Sequence, residues 1–315
     1  MTVPAPPDLA AGIVVREPER PEAGYWAGCP SVLVHDGRFW LTYRERRPRG
    51  APTERGWRCA LAVSDDGIRF DDVWEVRKGE LETDSMERFC LSSTLDGFRL
   101  FLSFVDPADN RWRIDAVDAS DPARFDVATR RPVLTAASTG TEGVKDPVLF
   151  FDRPAGVEHL FASFAAARRD LPAAAHATAD IYNVGATTHP TGLATRSAGD
   201  PGFTWQGEVL AVGDDWDRFQ ARLGSVVAVD NRWIGTYDGS ASHEENYEER
   251  CGLAVSSDLR RWERRTPAGP WITGPGPTGS VRYVDMHRID GAWWFWAEVT
   301  RPDGAHELRV IPGSA

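Results

Sequence analysis

The stretch Ser31-Val32-Leu33-Val34-His35-Asp36-Gly37-Arg38-Phe39-Trp40-Leu41-Thr42-Tyr43 sets an apolar run and an aromatic-rich run on either side of an Asp-Gly pair. Asp-Gly between two such runs is the strongest short-range hairpin signal, because a type I′ turn needs positive φ at both central residues. The arrangement recurs around Asp96-Gly97 (Leu95 to Phe104), Asp230-Asn231 (Val226 to Tyr237) and Asp290-Gly291 (Ile289 to Trp296). A looser copy joins Val148-Leu149-Phe150-Phe151-Asp152 to Glu158-His159-Leu160-Phe161-Ala162-Ser163-Phe164.

A second element follows the hairpins: a strand, then a polar turn closed by an aromatic. Ala60-Leu61-Ala62-Val63-Ser64-Asp65-Asp66-Gly67-Ile68-Arg69-Phe70 and the stretch from Gly252 to Trp262 are its clearest copies. Ala119 to Phe125 and Gly192 to Trp205 are weaker ones. Hairpin, third strand, turn and fourth strand make one propeller blade, repeated here about every 60 residues. The turn residues Asp36, Asp96, Asp152, Asp230 and Asp290 count the copies. The expectation is an all-β, five-bladed β-propeller forming a single domain over residues 12–315, with residues 1–11 as a flexible lead-in. The last copy lacks an outer strand, which Gly12-Ile13-Val14-Val15 is expected to supply. A sandwich is the competing arrangement, and the even four-strand spacing favours the propeller.

A net charge of −11 excludes nucleic acid as a partner, since phosphate backbones need a basic surface. No apolar run approaches the roughly 20 residues that span a bilayer, so no membrane partner is expected. The N-terminus has neither the basic start nor the apolar core of a signal peptide. Four cysteines match no zinc or redox spacing; Cys59 and Cys251 occupy matching places in two copies and read as buried thiols. A cytoplasmic location is expected, with no cofactor and no metal site.

Propeller blades turn their innermost strands toward a central channel. Eight residues before the turn aspartates stand Arg88, Arg222 and Arg282, and equal offsets on a strand point the same way. The three arginines are expected to line the channel, with Glu87 and Asp285 as neighbours that can pair with them. At the same level stand Gly143-Val144-Lys145-Asp146-Pro147 in copy three and Gly28-Cys29-Pro30 in copy one.

An Asp-Pro opening an inner strand resembles a feature shared by glycoside hydrolase families 43, 32 and 130. The resemblance implies a five-bladed fold and a carboxyl at Asp146 that serves as general acid or orients it, although Lys145 and Val148 depart from the family 130 pattern. Trp216-Asp217-x-x-Gln220-x-Arg222-x-Gly224, followed by Trp233-Ile234-Gly235-Thr236-Tyr237-Asp238-Gly239, is similar to a second run of family 130. Families 43 and 32 carry a base or nucleophile Asp at the start of blade one, where this sequence has Cys29-Pro30.

Glycoside hydrolysis needs two carboxyl groups flanking the bond, roughly 5 Å apart for retention or 6.5 to 9.5 Å for inversion. Asp146 supplies one; Glu87, Asp217, Asp238 and Asp285 are candidates for the second. The arginines suit a phosphate that replaces the enzymic base, or an anionic group on the substrate. His243 stands in an acidic run expected over the channel mouth, as a proton carrier or sugar contact, and Trp26 is placed to stack on a sugar. Cys29 is a nucleophile or a buried filler. The expected function is a glycosidase or glycoside phosphorylase acting on a small or anionic carbohydrate, with phosphate as a second ligand in the latter case. The alternative is a propeller that has lost hydrolysis and binds a sugar-like ligand or catalyses another step.

Overall fold

The computed structural model describes residues 3–50 and 54–313. The expected bounds of the lead-in and of the propeller run into residues 1–2, 51–53 and 314–315, which lie outside them. A first strand, β1 (Ile13–Arg16), precedes a meander of β2 (Trp26–His35), β3 (Arg38–Arg46), β4 (Arg58–Ser64) and β5 (Asp71–Arg77). Three further four-stranded antiparallel meanders follow. They are β6 (Cys90–Thr94) with β7 (Gly97–Val105), β8 (Trp112–Ala119) and β9 (Arg131–Leu134); β10 (Gly143–Asp152) with β11 (Val157–Ala165), β12 (Thr191–Ser197) and β13 (Thr204–Leu210); and β14 (Gln220–Val229) with β15 (Arg232–Ser240), β16 (Arg250–Ser256) and β17 (Trp262–Arg264).

The chain ends in β18 (Val281–Ile289), β19 (Ala292–Thr300) and β20 (His306–Ile311). As the repeat implies, β1 supplies the missing partner by pairing antiparallel with β20. A single parallel bridge between Trp26 and His306 joins this last run to the first, making one eight-stranded sheet. The opening strands β2, β6, β10, β14 and β18 contact one another in that order, and β18 returns to β2.

Packing follows from the residue pattern. The first halves of β2, β10 and β14 are buried throughout, because the neighbouring sheets cover both of their faces. Apolar clusters fill the gaps between adjacent sheets, as where Leu61, Val76, Phe89, Leu100 and Leu102 meet. The polar turns behave as the repeat predicts. Ser64 Oγ accepts from the amides of Asp66 and Gly67, and Asp66 Oδ1 accepts from Ile68 and Arg69. Ser256 and Asp258 repeat the motif, and Phe70 and Trp262 fold back as buried closing aromatics. All four cysteines are free and buried. Near the start, Asp8 caps a single 3-10 turn over Leu9–Ala11 whose Leu9 is buried.

Candidate functional site

Four of the five opening strands carry a β-bulge near their start: between Gly28 and Ser31, Lys145 and Val148, Leu223 and Ser225, and Arg282 and Asp285. A bulge bends the strand and re-aims the side chain beside it. Cys29, Asp146 and Tyr283 sit at these bulges with left-handed φ values of 54°, 58° and 51°. A non-glycine residue held there costs of order 1–3 kcal/mol and persists only where its surroundings over-determine it.

The register corrects one expectation. The hairpins of β2–β3, β14–β15 and β18–β19 place Asp36-Gly37, Asp230-Asn231 and Asp290-Gly291 between the last paired residues, whereas β6–β7 pairs Thr94 with Gly97 around Leu95-Asp96. Asp96 is therefore the second loop residue, not the first, and counting back from it stops one residue short. Glu87, whose amide donates to Ser103 O, shares a level with Gly28, Lys145, Arg222 and Arg282. Arg88 shares the next level, with Cys29, Asp146 and Tyr283. Its guanidinium accordingly takes other partners than theirs: Gly224 O at 2.6 Å and Asp285 at 3.7 Å.

At the common centre the charged side chains interlock. Arg222 donates from Nη1 to Asp146 Oδ2 (3.0 Å) and the Tyr283 hydroxyl (2.9 Å), and from Nη2 to Asp238 (2.6 Å) and Glu249 (3.4 Å). Arg282 reaches Glu249, and Glu298 at 2.8 Å. Arg44 reaches Glu87, and lies 3.5 Å from Glu298, which also accepts from the Cys29 amide (3.0 Å) and pairs with His306 (2.7 Å). That approach requires Gly28, since a Cβ there would lie 1.9 Å from Glu298 Oε2. The Cys29 thiol donates to Glu87 at 3.3 Å, and burial pushes it well above the ordinary thiol value, so it is no thiolate nucleophile as it stands. Asp285 accepts from the Val32 amide and pairs with His287 at 3.3 Å.

Lys145 lies 3.8 Å from Glu87 Oε2 and 3.6 Å from Asp146 Oδ2, over the rings of Tyr182 (4.4 Å) and Trp112 (5.1 Å). Glu87 and Asp146 thus flank one ammonium. The sum of those two distances bounds the separation of their oxygens below the roughly 9.5 Å limit for carboxyl pairs acting on a glycosidic bond.

Two expected residues, Asp217 and His243, stand apart from this centre. Trp26 borders it, with the guanidinium of Arg282 5.1 Å and that of Arg44 5.8 Å from its ring centre. Asp217 is buried against Arg264 at the outer side of its sheet. His243 is exposed on its loop against Gly185, with Glu244 at 3.2 Å. Trp26 is nearly enclosed, stacked on His306 (4.1 Å) and edge-on to Tyr247 (5.2 Å).

Burial opposes ionisation of the channel carboxyls, and their partners decide the outcome. For Glu87 the burial effect is overcome by Arg44, then Lys145, Arg282 and Arg46, leaving it well below the ordinary glutamate value. Burial is likewise overcome for Glu249 by Arg282 and Arg222 together, and for Glu298 by Arg282, His306 and Arg44 together, and both are lowered. Asp238 goes the other way: burial outweighs Arg222, Glu249 adds repulsion, and its value is raised. Groups depressed by folding contribute stability that is present above their unfolded value, near 4.5, and is lost as pH falls through the folded one. Asp238 has the opposite sign, but three depressed carboxyls outnumber it. Unfolding free energy measured in urea is expected to fall by at least about 3 kcal/mol between pH 5 and pH 3. A flat profile would mean that these glutamates are not ionised in the fold.

No protein-family model matches the chain, and no curated protein matches it by sequence. Solved structures do match in three dimensions. A GH43 enzyme from Xanthomonas citri is 12% identical with a TM-score of 0.64, over 96% of this chain and 91% of that one. A thermostable family-43 glycoside hydrolase is 13% identical at 0.63, covering 90% and 88%. A GH43 beta-xylosidase/alpha-arabinofuranosidase from a compost microbial metagenome is 12% identical at 0.63, covering 94% and 93%. The chain has the all-β propeller fold of the family-43 glycoside hydrolases.

Proposed function

We propose that the chain is a five-bladed propeller glycoside hydrolase, with Glu87 and Asp146 as its carboxyl pair. The observation that carries this reading is their placement on either side of Lys145, Asp146 at the bulged start of β10 and Glu87 just before β6. Arg44 keeps Glu87 ionised, the state in which it can activate water or stand against positive charge developing at the anomeric carbon. Asp146 is the partner that carries the proton to the leaving oxygen. Water is favoured over phosphate as acceptor, because Arg88, Arg222 and Arg282 already face carboxylates. The substrate is a small carbohydrate, and a cytoplasmic location remains the reading of the cysteine pattern.

A second reading, a propeller that binds a sugar-like ligand without cleaving it, is favoured by one feature: Cys29 stands where families 43 and 32 carry an aspartate. The test is a panel of aryl and oligosaccharide glycosides, with and without phosphate, followed by mass spectrometry. Free sugar regardless of phosphate is the expected product. Sugar phosphate would replace hydrolysis with phosphorolysis, and a silent panel combined with ligand-induced stabilisation would favour the binding reading.

A further inference from the structure

Of the six arginines buried among the described residues, five face a carboxylate within 4 Å: Arg44, Arg55, Arg88, Arg222 and Arg282. Arg46 has none. Its guanidinium packs instead into the corner made by two edge-on rings, 4.0 Å from the centre of Trp26 and 4.2 Å from that of Tyr247. Arg46 Nε and the Trp26 indole N–H beneath it are both buried without an acceptor. Arg49 adds a second guanidinium at the Tyr247 hydroxyl. A buried cation without its counter-ion is costly, and a buried donor without an acceptor adds to that cost. An anionic ligand at this place would answer both.

The position relative to the carboxyl pair is set by the strand. Arg46 and Arg44 are two residues apart on β3, opposite Trp26 and Gly28, so they lie on one face about 7 Å apart. Arg44 holds Glu87, and Arg46 is close enough to help keep Glu87 ionised. A sugar ring resting on this rim would span from Glu87 to Arg46. Guanidinium is the cation suited to a planar carboxylate, which it grips with two parallel hydrogen bonds.

We propose that Arg46, packed against Trp26 and Tyr247, is a carboxylate-recognising residue, and that the ligand is an acidic sugar bearing a uronate group. The inference rests on the reading of this centre as a carbohydrate site, not on cleavage. Its test is therefore equilibrium binding by calorimetry, using glucuronate and galacturonate, their neutral parents glucose and galactose, and inorganic phosphate. The folded protein is expected to bind at least one uronate at least about tenfold more tightly than its neutral parent. Arg46→Met is expected to bring that ratio close to one, and Arg46→Lys, which keeps the charge but not the planar fork, to leave an intermediate ratio. If Arg46→Met does not fold, the lysine variant and the wild-type ratio carry the test.

Equal binding of uronate and parent, or a ratio untouched in Arg46→Met and Arg46→Lys, would overturn the assignment. Phosphate binding more tightly than any uronate, and lost with Arg46, would overturn the carboxylate in favour of a phosphate. Uronate preference without cleavage of any glycoside would leave this inference standing and remove the hydrolase. Cleavage of neutral glycosides without uronate preference would do the reverse.

Discussion

Asp146→Asn lowers kcat on glycosides with poor leaving groups by about a thousandfold, within the 10²–10⁴ range for loss of a positioned general acid. Its effect on dinitrophenyl glycosides is much smaller, because that leaving group departs without a proton. Asparagine is the informative replacement. Asp146 holds φ at 58°, and asparagine tolerates the left-handed region better than almost any residue but glycine. Its one amide oxygen can take the place of Oδ2 and still accept from Arg222 Nη1, at 3.0 Å, so that only the long 3.4 Å bond from the Arg88 amide to Oδ1 is given up. Arg222 keeps Asp238 and Glu249, so the guanidinium is not left without a counter-charge. The fold should therefore survive while the proton is lost. The measurement is kcat across a leaving-group series, with circular dichroism and a melting curve as controls. A wild-type rate on the poorest leaving group would remove Asp146 from the chemistry. An equal loss across the whole series would make it a residue that positions substrate rather than one that delivers a proton.

The architecture was legible because its signal is local and repeated. A hairpin turn is decided by two residues, and Asp36-Gly37 or Asp290-Gly291 announces it without reference to the rest of the chain. The candidate site was legible in part, through the same turns used as rulers. The ruler worked for Arg222 and Arg282 and failed for Arg88, because the β6–β7 loop is displaced by one residue and a slip of one alters every level. Applied forward as well as backward, it would have added Arg44 and Glu298 to Asp238, which was already a candidate. Arg44, Asp238 and Glu298 all stand eight residues after a turn aspartate, on the second strand, and all three reach the central network. Glu249 had no such signal. It precedes β16 at the end of an acidic loop, and only the fold brings it between Arg222 and Arg282. The solitude of Arg46 is likewise invisible in sequence, since lacking a carboxylate is a property of three-dimensional neighbours.

Arg222→Met is expected to cost at least about 3–5 kcal/mol, the range for breaking a buried pair from one side, against total stabilities of only about 5–15 kcal/mol. The argument is one of charge. Arg44, Arg88, Lys145, Arg222 and Arg282 face Glu87, Asp146, Asp238, Glu249, Asp285 and Glu298, all of them buried. Arg222 touches three of those carboxylates and the Tyr283 hydroxyl, more partners than any other cation there. Removing it strands several negative charges in a water-poor centre whose strands already hold strained backbone at Asp146 and Tyr283. Lysine restores the charge but not the fork, so Arg222→Lys should fall between wild type and Arg222→Met in urea midpoint. Adding Asp238→Asn to Arg222→Met removes one of the stranded charges, and the double variant should regain at least about 1 kcal/mol over the single one. Asp238 is the right partner to remove, because Arg222 donates to it twice, from Nε at 3.2 Å and from Nη2 at 2.6 Å, the latter closer than to either of its other carboxylates. If Arg222→Met unfolds at the wild-type midpoint, the carboxylates must take up protons or admit water at little cost. The centre would then be an open, hydrated channel rather than the interlocked one from which Glu87 and Asp146 draw their fixed positions.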